Sequence, residues 1–88
     1  MLREVVLDTE TTGLNPNKGD RIIEIGAVEL IDHVPTGKFF HTYVNPERKI
    51  PQESTRIHKI TDDFIADKPL FQDIAGCLLK FLLPKLLF

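Results

Sequence analysis

Cysteine is nearly missing from this 88-residue chain: Cys77 stands alone. One thiol excludes an internal disulfide and a cysteine-built zinc cluster, and it fits a reducing compartment. A dominant charge sign is also missing. Lys and Arg number 11 against 13 Asp and Glu, a formal net charge of −2. That argues against a chain held to nucleic acid by phosphate contacts alone. It leaves room for a nucleic-acid enzyme whose metal ions bring the positive charge. Long apolar runs are missing too. The N-terminus, MLREVVLDTE, has no extended apolar stretch behind its basic residue and does not read as a secretory signal. The leucine-rich tail CLLKFLLPKLLF is too short to cross a bilayer and is interrupted by Lys80, Pro84 and Lys85. With no membrane partner indicated, a cytoplasmic location is the resulting expectation. There is no internal repeat, linker or low-complexity segment.

What is present suits one small α/β domain. The composition, 42% hydrophobic and 27% charged, is that of an ordinary globular chain. At this length residues 1–88 can form a single domain with a modest core. Val5 to Leu7 is a short β-branched and aliphatic run and reads as a buried strand. Gly13, Asn15, Pro16, Asn17 and Gly19 crowd into one loop. RIIEIGAVELI, Arg21 to Ile31, is apolar on both faces apart from Glu24 and Glu29, as expected of a central strand covered on both sides. Pro35 and Gly37 predict a turn in HVPTG. KFFHTYV, Lys38 to Val44, predicts a third strand in a hairpin with the second.

After Asn45-Pro46 the pattern changes. PQESTRIHKITDDF predicts short helical turns and loops, with Thr61 capping a turn that opens on Asp62 and Asp63. From Pro69 a helix is predicted. Leu70, Ile74, Leu78 and Phe81 form one stripe, and Pro84 is its stop. KLLF, Lys85 to Phe88, reads as the start of another strand. A chain closing on bare apolar residues is expected to be incomplete. The predicted order is three strands, short helical turns and one amphipathic helix.

The chemistry-bearing stretch is VVLDTETTGL. Residues i and i+2 of a strand share a face, so Asp8 and Glu10 project together. Adjacent carboxylates repel, and desolvating them is costly. They persist where they are solvated or where they share a cation. Hard oxygen donors suit Mg²⁺ or Mn²⁺, and two such ions can activate a water and stabilise a leaving oxygen in phosphodiester hydrolysis. Gly13 would let backbone approach a ligand closely. Taken alone, D-x-E is a weak signal, and two solvated acids at a strand end is the plainer reading. The longer string, DTETTGL after an apolar strand and followed by IIEIGAVEL, is far more specific.

That string resembles the first exonuclease motif of the DEDD-type 3′–5′ exonucleases, and most of all the epsilon-type proofreading branch of bacterial replicative polymerases. The likeness continues in order through RIIEIGAVEL, TGKFFHTYVNPER and ESTRIHKITDDFIADKPLF, from Val5 to at least Phe71. The resemblance implies the N-terminal portion of a ribonuclease H-like fold with a mixed sheet. It implies two Mg²⁺ or Mn²⁺ ions and removal of nucleotides from a single-stranded DNA 3′ end during replication. Asp8 and Glu10 then correspond to two metal-binding carboxylates that also lie against the terminal nucleotide. The backbone of Thr11 and Thr12 would flank that nucleotide, and Glu53 and His58 fall at substrate contacts. The implied partners are a polymerase subunit and a small accessory subunit. In ESTRIHKI, Lys59 replaces the family's usual glycine after the histidine.

Other candidates divide by context. His41 sits among aromatics and reads as structural; His33 reads as a solvated turn residue. Glu24 is either a satisfied acid or a group standing behind the metal ligands, and the sequence does not separate the two. Arg48, Lys49, Arg56 and Lys59 form a local basic cluster, either a solvated surface or a contact to the DNA backbone. The family's third carboxylate, its later general-base histidine and its fourth carboxylate have no counterpart in these residues. No catalytic general base is therefore assigned, and the 88 residues alone are expected to be inactive unless another chain supplies the missing groups. Two rival functions remain: an RNA-directed exonuclease of the same superfamily, and a non-catalytic remnant or interaction module.

Overall fold

Three strands run back and forth as an antiparallel meander: β1 (Arg3–Thr11), β2 (Ile22–Ile31) and β3 (Val34–Tyr43), in spatial order β1-β2-β3. Three helices follow: α1 (Gln52–His58), α2 (Asp62–Ile65) and α3 (Phe71–Leu82). These come from a computed structural model that describes residues 1–83. The stop at Pro84 and the strand expected from Lys85 to Phe88 lie outside the described residues. Every strand pairing among the described residues is antiparallel. Their one parallel contact is an isolated bridge between Asn45 and Leu70, so the parallel part of the expected mixed sheet is not found within them.

β1 is longer than its apolar run. β-branched Thr9 and Thr11 continue the ladder, pairing with Ile25 and Ile22, and a register shift follows Glu10. Asp8 and Glu10 are thereby inside the strand and not beyond its end. The strand is not buried as expected. Among the described residues it has a neighbour on one side only, and Val6 and Leu7 are about half exposed. β2 is central, as predicted, but the described residues bury one face of it. Ile23, Ile25, Ala27 and Glu29 point inward, whereas Val28 is exposed.

The β2–β3 turn is not where Pro35 and Gly37 suggested. Asp32 and His33, with φ of 50° and 68°, close a two-residue hairpin between Ile31 and Val34. Asp and His tolerate the left-handed region better than most side chains. Pro35 and Gly37 instead belong to a bulge. Leu30 pairs with Pro35 and Val28 with Phe39, so β3 spends extra residues there. Gly37, at φ 90°, supplies the backbone conformation that the bulge requires. Thr36 folds over to donate its hydroxyl to Glu29 Oε1 at 2.9 Å.

The core gathers at one end of the sheet. Ile23 of β2 meets Ile50, Ile60 and Ile65 from the helical segment, with Tyr43 packed beside them. Burying each isoleucine stabilises the fold by about 1.5–3 kcal/mol. Thr61 caps α2 as predicted, accepting a hydrogen bond from Phe64 N–H at 3.2 Å. In α3 the stripe Leu70, Ile74, Leu78 and Phe81 is the half-buried side, and Phe81 meets Phe40 with ring centroids 6.3 Å apart. Arg3 fastens the end of that helix. Its guanidinium donates to the carbonyls of Phe81 and Leu82 at 2.6 and 3.0 Å, and to Glu29 Oε2 at 2.6 Å. Two orphan helix carbonyls are satisfied in this way.

Candidate active site

β1 places Asp8 and Glu10 on the same face of the sheet, the face away from the inward side of β2. Cross-strand register sets their neighbours. Asp8 pairs with Gly26, which pairs with His41; Glu10 pairs with Glu24, which pairs with Tyr43. None of the ion pairs among the described residues involves Asp8 or Glu10. Two carboxylates with no protein cation, side by side on an open face, are a donor set that suits a mostly hydrated Mg²⁺ or Mn²⁺ ion, which takes one or two carboxylates and keeps several waters. No group of three or more His, Cys, Asp or Glu side chains forms a metal cage among the described residues.

The residues after β1 form a rigid corner. Thr12 is fully buried. Its N–H donates to Arg21 O at 2.8 Å, its carbonyl accepts from Ser54 Oγ at 2.8 Å, and its hydroxyl accepts from Arg21 N–H and donates to Asp20 Oδ1. Thr12 thus ties β1, β2 and α1 together, and both of its backbone polar groups are engaged within the protein. Thr11 turns its hydroxyl to Gly13 O at 2.7 Å. The space beside Gly13, read from sequence as room for a ligand, is filled by Asp20: a β-carbon there would stand 2.4 Å from Asp20 Oδ2. Asp20 also accepts from Asn15 N–H at 3.0 Å and from Arg48 Nη1 at 3.3 Å. Sequence reasoning missed Asp20 because its partners lie on three separate segments. The nearest sequence signal was its place at the close of a Gly- and Asn-rich loop.

This corner forms one wall of a cleft of about 450 Å³; α1 forms the other with Glu53, Ser54 and Ile57. Leu14 is 99% exposed and Ile57 81% exposed, and both line this cleft. Thr12 and Glu53 are brought together in it. Asp8 and Glu10 lie on β1, four and two residues before Thr12, and are not among the lining residues. His58 is not among the lining residues. Its Nδ1 accepts from Ile60 N–H at 3.0 Å, which leaves the proton on Nε2, a buried donor with no partner among the described residues. Lys59, where glycine was the expected residue, takes the left-handed conformation at φ 65° and caps α1 through its N–H to Thr55 O. Within the basic cluster, Arg48 is bound to Asp20 and Lys18 O, and Lys59 Nζ is bound to Arg56 O.

The chain is similar to several known proteins. DNA polymerase III subunit epsilon of Rickettsia typhi is 59% identical over 81 residues, covering 92% of this chain and 35% of that protein. The subunit of the same name from Buchnera aphidicola subsp. Schizaphis graminum is 57% identical over 77 residues, covering 83% of this chain and 33% of that one. The chain therefore spans about a third of the length of the curated relatives it matches. Among solved structures, exonuclease X in complex with 5′ overhanging duplex DNA superposes with a TM-score of 0.73 at 36% identity, over 89% of this chain and 43% of that one. The exonuclease family of the ribonuclease T type matches residues 5–87, and the chain belongs to that family.

Proposed function

We propose that these residues are the N-terminal part of a 3′–5′ exonuclease of the epsilon type, acting on DNA 3′ ends in replication proofreading. One observation carries the reading: Asp8 and Glu10 share one strand face with no ion-pair partner among the described residues, on the strand that leads into a cleft lined by exposed Leu14 and Ile57. Large apolar side chains in full contact with water suit the faces of nucleobases, which stack without regard to sequence. Carboxylates beside them suit the ions that accompany a phosphodiester.

Asp8 and Glu10 would hold divalent ions; when bound, such ions supply a reactive water and neutralise charge on the phosphate and leaving oxygen. The reaction adds water to the terminal phosphodiester, breaks the P–O3′ bond and releases a nucleoside 5′-monophosphate. The chain's own residues do the positioning. Thr11 to Gly13 and Glu53 border the terminal nucleotide, while His58, its Nε2–H buried and outside the cleft lining, stands behind them. Since no group of three or more His, Cys, Asp or Glu side chains able to hold a metal is formed among the described residues, hydrolysis needs groups from outside them. A polymerase subunit and a small accessory subunit are the proposed partners. A cytoplasmic place beside the replication machinery follows; no described helix is long and apolar enough to cross a membrane.

The test is a chimera joining these residues to the remaining length of a Rickettsia epsilon subunit, assayed on matched single-stranded DNA and RNA with Mn²⁺. Stepwise loss from the DNA 3′ end, abolished by Asp8→Ala, is the expected result. A folded chimera with no hydrolysis, beside an active parent subunit, would sink the reading. Preference for RNA would move the chain to the RNA-directed branch.

A further inference from the structure

Glu24 interrupts an otherwise apolar β2, yet its carboxylate is not left to solvent. Oε2 lies 2.6 Å from His41 Nε2. An ionised carboxylate only accepts, so His41 is the donor. His41 is itself fixed from behind. Its ring meets Tyr43 edge-on, with centroids 5.1 Å apart. Tyr43 meets Phe64 of α2 edge-on at 4.8 Å and packs against the isoleucine core. The direction of Glu24 is therefore tied to the hydrophobic core through aromatic contacts.

Register shows what this fixed carboxylate faces. Glu24 stands directly across from Glu10, and Gly26, in the adjoining row, lies between Asp8 and His41. Among the described residues nothing lies within 4 Å of where a β-carbon on Gly26 would be. Gly26 thus floors an open trough walled by Asp8, Glu10, Glu24 and His41. Like charges directly opposed in a sheet are destabilising. A purely structural partner for His41 would not need to be an acid placed opposite another acid. His41 sits diagonal to Glu24, so its hydrogen bond draws the carboxylate off the Glu10 row toward the trough.

We infer that Glu24, aimed by His41, is the water-side partner of a divalent cation held by Asp8 and Glu10. The inference rests on the reading of those two residues as metal ligands. An ion bound by two carboxylates keeps several waters, and those waters need acceptors. Oε1 of Glu24 supplies one. His41 is a positioning residue that touches neither ion nor substrate. Groups of this kind typically change metal affinity ten- to a hundredfold.

Mn²⁺ binding to the 88-residue chain tests this, read by loss of the free-ion electron paramagnetic resonance signal, with thermal melting measured alongside. Glu24→Gln and His41→Ala are expected to weaken Mn²⁺ binding about tenfold. His41→Gln, whose amide N–H can still reach Glu24, should stay close to the parent. Asp8→Asn should abolish binding. If Glu24→Gln and His41→Ala bind as the parent does while Asp8→Asn does not, the inference falls and the metal reading stands, whatever happens to the melting temperature. If Asp8→Asn also binds as the parent does, or the parent binds no Mn²⁺, both fall.

Discussion

The Asp20 carboxylate rests against the α-carbon of Gly13, so closely that a β-carbon at position 13 would lie 2.4 Å from Oδ2. Asp20 cannot simply withdraw, because it also holds Thr12 Oγ1, Asn15 N–H and Arg48. Gly13→Ala must therefore break that set or displace the backbone. A loss of about 2 kcal/mol is expected, the usual scale for overpacking joined to a broken, part-buried set of hydrogen bonds. Urea denaturation reads it. A variant that melts with the parent would show that the corner is loose and that Asp20 does not fix the loop.

Lys59 makes the opposite case. It sits at φ 65° in the closing position of α1, where glycine carries no steric penalty. Its side chain gains only an exposed hydrogen bond to Arg56 O. Lys59→Gly is expected to stabilise the chain by about 0.5–1 kcal/mol, since relief of left-handed strain exceeds the added freedom of the unfolded chain. Thermal and urea melts should move together. A lower midpoint would mean that the lysine makes a favourable contact greater than its strain.

Much of this was legible in the sequence, and the failures share a cause. Strand and helix types followed from periodicity, because the isoleucines of β2 and the stripe of α3 have local periods. Thr61 was legible because a cap and the amide it binds are three residues apart. The β2–β3 turn was misplaced because Pro35 and Gly37 signal irregular backbone equally well in a turn and in a bulge. Only the pairing of Val28 with Phe39 and Leu30 with Pro35 decides between them. That Asp8 and Glu10 share a face was legible from strand alternation. Asp20 and the Glu24–His41 bond were not, since their meaning comes from partners on other segments.

Glu29 gives a pH dependence with a defined sign. The hydrogen bond from Arg3, then that from Thr36, holds its carboxyl below the usual glutamate value, against a smaller opposing effect of desolvation. The folded state binds the proton less readily than the unfolded chain. The contribution is therefore complete above the ordinary glutamate value of about 4.3 and is lost as pH falls through and below it. Glu29→Gln should lower stability at pH 7 and flatten its fall in acid. Melting curves at pH 7, 5 and 3.5 show this, and parallel losses in parent and variant at pH 3.5 would remove Glu29 as a source of acid sensitivity.

Leu14 and Ile57 separate function from stability. A leucine 99% exposed and an isoleucine 81% exposed contribute almost nothing to the core, so Leu14→Ser and Ile57→Ser should leave the melting midpoint nearly unchanged, within about 0.5 kcal/mol. Their apolar surface is lost to water in the free protein and can be recovered only against a ligand. Each substitution should weaken binding of single-stranded DNA by about 1 kcal/mol, several-fold in Kd, by the apolar area removed. Fluorescence anisotropy of a 5′-labelled oligothymidylate with the chimera in Ca²⁺, which supports binding without requiring turnover, provides the measure. The control is Phe39→Ser. Phe39 is 71% exposed but pairs with Val28, on a different part of the sheet from the cleft. If Phe39→Ser weakens binding as much as the cleft variants, the DNA lies across the sheet and not between Leu14 and Ile57. If all three bind as the parent does, the apolar walls serve something other than a nucleobase.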